Sequence, residues 1–155
     1  MTLHRGPSRA NETDSSPNPA LDPREHGWMD ALTEAGLPLS RRYRAEFSSA
    51  GGYQAALELS RGPDRPSAVF IASDQLAIAA LAAFHAAGLR IPEDLAVISF
   101  DGTTESQYSW PPLTTMVRPV QAMADEAIHR LLEGSPEPMF VAYPMKLVLR
   151  ASSGD

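Results

Sequence analysis

Residues 68–72, Ala-Val-Phe-Ile-Ala, carry no polar side chain, and Ser73-Asp74 follows at once. A continuous apolar run of this length suits a parallel strand buried on both faces. The stretch from Gln75 to Ala87 then sets Leu76, Ile78, Leu81 and Phe84 among alanines, and Gly88 comes next. This predicts a helix that is apolar nearly all round and buried on more than one side. Ser73-Asp74 would cap its start and Gly88 would end it. Beyond the turn Ile91-Pro92-Glu93-Asp94, a second apolar run from Leu95 to Phe100 ends in Asp101-Gly102. Strands alternating with helices in this way pair in parallel, which brings their carboxyl ends to one edge of the sheet.

The flanking segments extend the alternation. Asp22 can cap a helix with Pro23 in its first position. Trp28, Leu32 and Ala35 share a face of that helix, and Gly36 and Pro38 close it. Residues 42–47 alternate polar and apolar, which predicts a strand with Tyr43, Ala45 and Phe47 facing inward. Ser48-Ser49 caps a helix with Tyr53, Ala56, Leu57 and Ser60 on one face, ended by Gly62-Pro63. An extended segment, Leu113 to Val117, leads to a helix over 120–133 with Val120, Met123, Ala127, Ile128 and Leu131 along one stripe. Gly134-Ser135-Pro136 breaks it, Lys146 to Arg150 predicts a last strand, and Ala151 to Asp155 reads as a frayed tail. The expected class is α/β, a parallel sheet covered by helices on both faces. Residues 8–23 are nearly all polar, small or proline. They cannot bury enough apolar surface to offset their ordering, so residues 1–21 are expected to be a flexible leader before one domain over 22–155.

Several functional classes are disfavoured. The chain has no cysteine, which removes disulfides, thiolate zinc sites and a cysteine nucleophile. Its net charge of -6 argues against direct binding to nucleic acid. No apolar run approaches the ~18 residues of a membrane span, and the first residues lack a signal-type apolar core, so a cytoplasmic location is expected. His4, His26, His85 and His129 stand apart without metal-ligand spacing. There is no Gly-x-Ser-x-Gly elbow, and Gly51-Gly52 makes neither a dinucleotide nor a phosphate loop. No catalytic residue, metal or cofactor is assigned.

In open α/β sheets, ligands bind beyond the carboxyl ends of the strands. Here those ends carry Phe47, Ser73-Asp74 and Asp101-Gly102. An aromatic face, a hydroxyl and two carboxylates suit a ligand rich in hydroxyls. Plainer roles are open for each. Asp74 can serve only as a helix cap, Asp101 can simply make a turn with Gly102, and Phe47 alone would be a core residue more often than a stacking platform.

The segment Ala68-Val-Phe-Ile-Ala-Ser-Asp-Gln75, with its Ala/Leu helix and the continuation Gly88-Leu-Arg-Ile-Pro-Glu-Asp-Leu-Ala-Val-Ile-Ser-Phe-Asp101, resembles the effector-binding core of the LacI/GalR family of bacterial transcription regulators. Pro111-Pro-Leu-Thr-Thr115, Leu147-Val-Leu-Arg150 and Arg24-x-x-Gly27-Trp28 match further family segments in the right order. Gly6-Pro7 resembles the Gly-Pro that precedes them, with a long insertion between. The resemblance implies a periplasmic-binding-protein-like fold (type I) of two subdomains with the effector between them. This chain would hold mainly one of them, plus a crossover helix over 118–134. It further implies that Arg24, Ser73 and Asp101 reach the ligand and that Phe47 is the aromatic of the site. Arg118 stands where the family often has Gln. An arginine there would favour an anionic effector or pair with Asp101. A homodimer surface on Ile78, Leu81, Phe84 and Trp110 is implied as well, as is a small-molecule effector, a sugar or related metabolite. DNA would be reached only through a helix-turn-helix that this chain lacks. The alternatives are a free-standing solute-binding protein and an α/β enzyme using Asp74 and Asp101.

Overall fold

A computed structural model of the chain describes residues 22–38, 42–62, 65–134 and 140–154. The leader expected over 1–21, the Gly6-Pro7 match, the breaks at Pro63 and Ser135-Pro136, and the terminal Asp155 lie outside them.

Helix α1 spans Pro23–Glu34, with Pro23 in its first turn and the Asp22 side chain accepting the Arg24 backbone N–H. Helix α2 spans Ser49–Arg61, capped by Ser48, whose hydroxyl accepts the Gly51 N–H. Strand β1 is Ala68–Ile71 and helix α3 is Asp74–Ala86. Strand β2 is Ala96–Asp101, strand β3 is Thr114–Val117, helix α4 is Val120–Glu133, and strand β4 is Lys146–Val148. The sheet order is β1-β2-β3-β4, with the first three parallel and β4 antiparallel to β3. The α/β class stands, as a mixed sheet with an antiparallel edge.

Residues 42–47 form no strand. Their alternation reflects one-sided packing, because Tyr43 and Ala45 lie against the core. A strand also needs a ladder, and the sheet ends at β1. The chain instead tightens at Ser48 N–H to Glu46 C=O, 2.8 Å, and enters α2. Phe47 is left 46% exposed rather than facing inward.

The buried face of α2 is Gly52, Ala55, Ala56 and Leu59, one residue away from the expected stripe, with Tyr53 and Leu57 only partly buried beside it. Gly52 sets this register. A Cβ there would lie 2.6 Å from the Leu76 carbonyl oxygen, so α2 crosses α3 with its glycine against backbone. On α3 the core face holds Leu76, Ala77, Ala80, Leu81, Ala83 and Phe84. Leu81 is 2% exposed and Phe84 0%, so both face their own core and neither is available to a partner, which corrects the expected dimer surface. Gln75, Ala82 and His85 form an exposed outer strip, so the helix is not apolar-buried on all sides.

Val69, Ile71, Val97 and Ser99 are buried on the covered face of the sheet. Phe70, Ile98, Phe100, Met116 and Leu147 share the opposite face by register. Ile98 and Leu147 are exposed there, while Phe70, Phe100 and Met116 are partly buried, so the second face is covered only in part. Helix α4 carries its apolar stripe as expected but has no buried residue. The carboxyl-terminal tail, expected to fray, makes a 3-10 turn over Ala151–Ser153. Ser152 is fully buried there. Its hydroxyl donates to the Val97 carbonyl at 2.6 Å and accepts the Thr114 N–H at 2.8 Å. That serine completes backbone bonds at the starts of β2 and β3, which holds the tail in place.

Candidate functional site

The carboxyl ends of β1, β2 and β3 lie side by side, since Ile71 pairs with Ser99 and Asp101 with Val117. Arg24 reaches this edge from the first turn of α1. Its Nε and Nη2 donate to the Asp22 carboxylate at 2.8 and 2.5 Å, and its Nη1 donates to the Ala72 carbonyl at 2.6 Å. The guanidinium also lies over the Phe100 ring, 5.4 Å from its centroid. The hydrogen bond to Asp22 raises the Arg24 pKa above its ordinary value against the cost of burial, and the charge of Asp101 adds to the rise. Arg24 is thus a fixed cation with three of its five side-chain N–H donors engaged within the protein. Its bond to Ala72 fastens α1 to the end of β1 and brings its charge to the edge.

Asp101 closes β2 with φ +133°, a backbone conformation that side-chain-bearing residues rarely adopt. Gly102 continues the bend at φ +73°, and a Cβ on it would lie 2.6 Å from Val117 Cα. The Asp101 carboxylate is 3.3 Å from Arg118 Nη2, and the Arg118 N–H donates to the Asp101 carbonyl at 3.4 Å. The Arg118 side chain remains 41% exposed. The expected pairing of Arg118 with Asp101 is present.

Ser73 is the N-cap residue of α3, 1% exposed, and its side chain makes no cap hydrogen bond. No group among the described residues hydrogen-bonds its Oγ. Asp74 differs from the expectation that it faces a ligand. It is the first residue of α3 and fully buried, and its Oδ1 accepts Ser99 Oγ at 2.5 Å and Thr115 Oγ1 at 2.7 Å. Its Oδ2 accepts the Thr103 N–H at 2.6 Å. Both oxygens are spent inside the protein, so Asp74 is removed from the surface that a ligand can touch. Phe47 precedes α2, whose start meets that of α3 through Gln75 Nε2 and Ser49 Oγ, 3.5 Å apart, so it lies at the same edge as Ser73.

The edge therefore brings together Arg24, Ser73, Asp101 and Arg118, with Phe47 flanking. Phe100, the ring beneath Arg24, is a member that the sequence reading missed. Its signal was present: it alternates with buried Ser99 and sits immediately before Asp101. Asp22 was read only as a cap and also holds the Arg24 guanidinium. Of the expected dimer residues on this side, Trp110 is 81% exposed and Ile78 is partly buried. A carboxylate paired with a half-exposed guanidinium, beside a buried hydroxyl without a partner among the described residues, is a set of groups that can bind a ligand's hydroxyls. Among the described residues, no cluster of His, Asp and Glu is placed to hold a metal, and no helix is long and apolar enough to cross a membrane.

Residues 8–153 match the family described as periplasmic binding protein-like domain. Among curated proteins, the chain is 37% identical over 117 residues to a probable HTH-type transcriptional repressor, ExuR, of Bacillus subtilis (strain 168). That match covers 74% of this chain and 35% of the repressor, so the chain spans about a third of that relative's length. Among solved structures, the Lac repressor dimer bound to operator and the anti-inducer ONPF superposes with TM-score 0.78 at 27% identity, over 85% of this chain and 47% of that one. A LacI family transcriptional regulator from Lactobacillus casei with bound glucose superposes with TM-score 0.74 at 27% identity, over 84% and 49%.

Proposed function

Because this chain belongs to the periplasmic binding protein-like domain family, we propose that it is the effector-binding module of a LacI-type transcriptional regulator, with a sugar or related metabolite as effector. The observation that carries this reading is the convergence of Ser73, Asp101 and Arg118 at the carboxyl ends of three adjacent strands, with Arg24 held against β1. Asp101 accepts hydroxyl groups of the effector, and Arg118 and Ser73 donate to its oxygens. Phe47 offers a ring face at the rim. The described residues then form one lobe, and α4, which has no buried residue there, crosses to a second.

The effector acts by favouring one of two lobe arrangements, and it shifts the balance only as far as its affinity differs between them. DNA is read by a part of the regulator outside this sequence, in the cytoplasm. The regulator works as a homodimer, through the exposed strip of α3 around Ile78 together with Trp110. The module performs no catalysis.

Calorimetry against glucose, sucrose and cellobiose tests the reading. Saturable binding of at least one sugar is expected, weakened tenfold or more by Asp101→Ala. Equal binding by both proteins would take Asp101 out of the site, and binding of none of the three would contradict the sugar reading.

A further inference from the structure

The three donors on Asp74 come from three different segments: Ser99 from β2, Thr115 from β3 and Thr103 from the turn after Asp101. Thr115 Oγ1 also accepts the Gly102 N–H, at 3.3 Å. The amides of both residues that follow Asp101 therefore end on one carboxylate, Thr103 directly and Gly102 through one hydroxyl. Asp101 needs such restraint, because its φ of +133° persists only where the surroundings impose it. Gly102 is pressed against Val117 on the other side of the same turn.

We infer that Asp74 is the positioning residue of the effector site: it touches no ligand and holds the Asp101–Thr103 turn in the conformation that presents the Asp101 carboxylate. This rests on the proposed effector-binding role only for the purpose of the turn, not for its restraint by Asp74. The plainer alternative is that Asp74 merely stabilises the core.

Two substitutions separate these. Ser99→Ala and Thr115→Val each remove one donor from the same Asp74 oxygen, but only Thr115 touches the turn. Amide hydrogen exchange on the whole chain is the first readout and sugar titration the second. In Asp74→Ala, no side-chain acceptor remains for Thr103, Ser99 or Thr115. Exchange at Gly102 and Thr103 is expected to quicken tenfold or more in Asp74→Ala, with Val97 in β2 unchanged. Thr115→Val is expected to quicken Gly102, and Ser99→Ala neither.

Affinity for whichever of glucose, sucrose and cellobiose binds should fall in Asp74→Ala and Thr115→Val and hold in Ser99→Ala. Equal effects of Ser99→Ala and Thr115→Val would overturn the inference in favour of a purely structural role, as would unchanged exchange at Thr103 in Asp74→Ala. If Asp74→Ala does not fold, the contrast between the other two variants decides. Wild-type protein that binds none of the three sugars would count against the effector reading, while the exchange contrast would still judge Asp74.

Discussion

At Asp101, backbone strain and chemistry fall on the same residue. Its φ of +133° disfavours any side chain, yet its carboxylate faces Arg118 at the edge where three strands end. In ordinary strand positions glycine is less stable than alanine by roughly 0.5–1 kcal/mol. At this position the order should reverse. Asp101→Gly is expected to be more stable than Asp101→Ala by about 1 kcal/mol, since both lose the carboxylate and only alanine keeps the strained Cβ. Chemical denaturation of the two variants measures the difference. Asp101 was legible in the sequence because a carboxylate straight after an apolar strand needs a partner. Asp74 met the same criterion and was misjudged. Its partners are hydroxyls and an amide 25 to 41 residues away, which no local pattern displays.

Among the elements, apolar runs told most where burial is complete. Strands β1 and β2 and the bounds of α3 match the reading to within a residue or two, because each is bounded by a polar or glycine stop. The errors share a cause, which is that packing is decided by neighbours. The face of α2 is set by Gly52, which carries no hydrophobic signal, and residues 42–47 alternate without a ladder to join. Gly52→Ala places a Cβ 2.6 Å from the Leu76 carbonyl, a backbone atom that cannot swing aside. It should cost about 1–3 kcal/mol, read as a lowered melting temperature. The two sides of the expected dimer surface separate in the same assay. Phe84→Ala should cost about 3–5 kcal/mol as a cavity in the core. Trp110→Ser, at 81% exposed, should change the stability of the isolated protomer by no more than about 0.5 kcal/mol.

For the molecule as a whole, one feature dominates. Among the described residues, α4 has no buried residue, and Ile98 and Leu147 on the second sheet face stay exposed. The α/β class and the resemblance to an effector-binding core were legible because strand ends, turns and the Pro111-Pro112-Leu113-Thr114-Thr115 segment stand in order along the sequence. The mixed edge of the sheet and its partly exposed face were not, since an apolar run looks alike whether or not a helix lies over it. Exposed apolar stripes of this kind mark surfaces that meet another body, and α4 is the element that would carry a lobe movement onward. In the proposed function that movement begins with a ligand at the strand ends, so the site is the claim on which the account depends. A backbone-amide NMR titration with glucose, sucrose and cellobiose in turn tests it most directly. Shifts concentrated at Ser73, Asp101–Thr103 and Arg118, saturating together, are the predicted result. Shifts centred elsewhere, or none at saturating sugar, would contradict it.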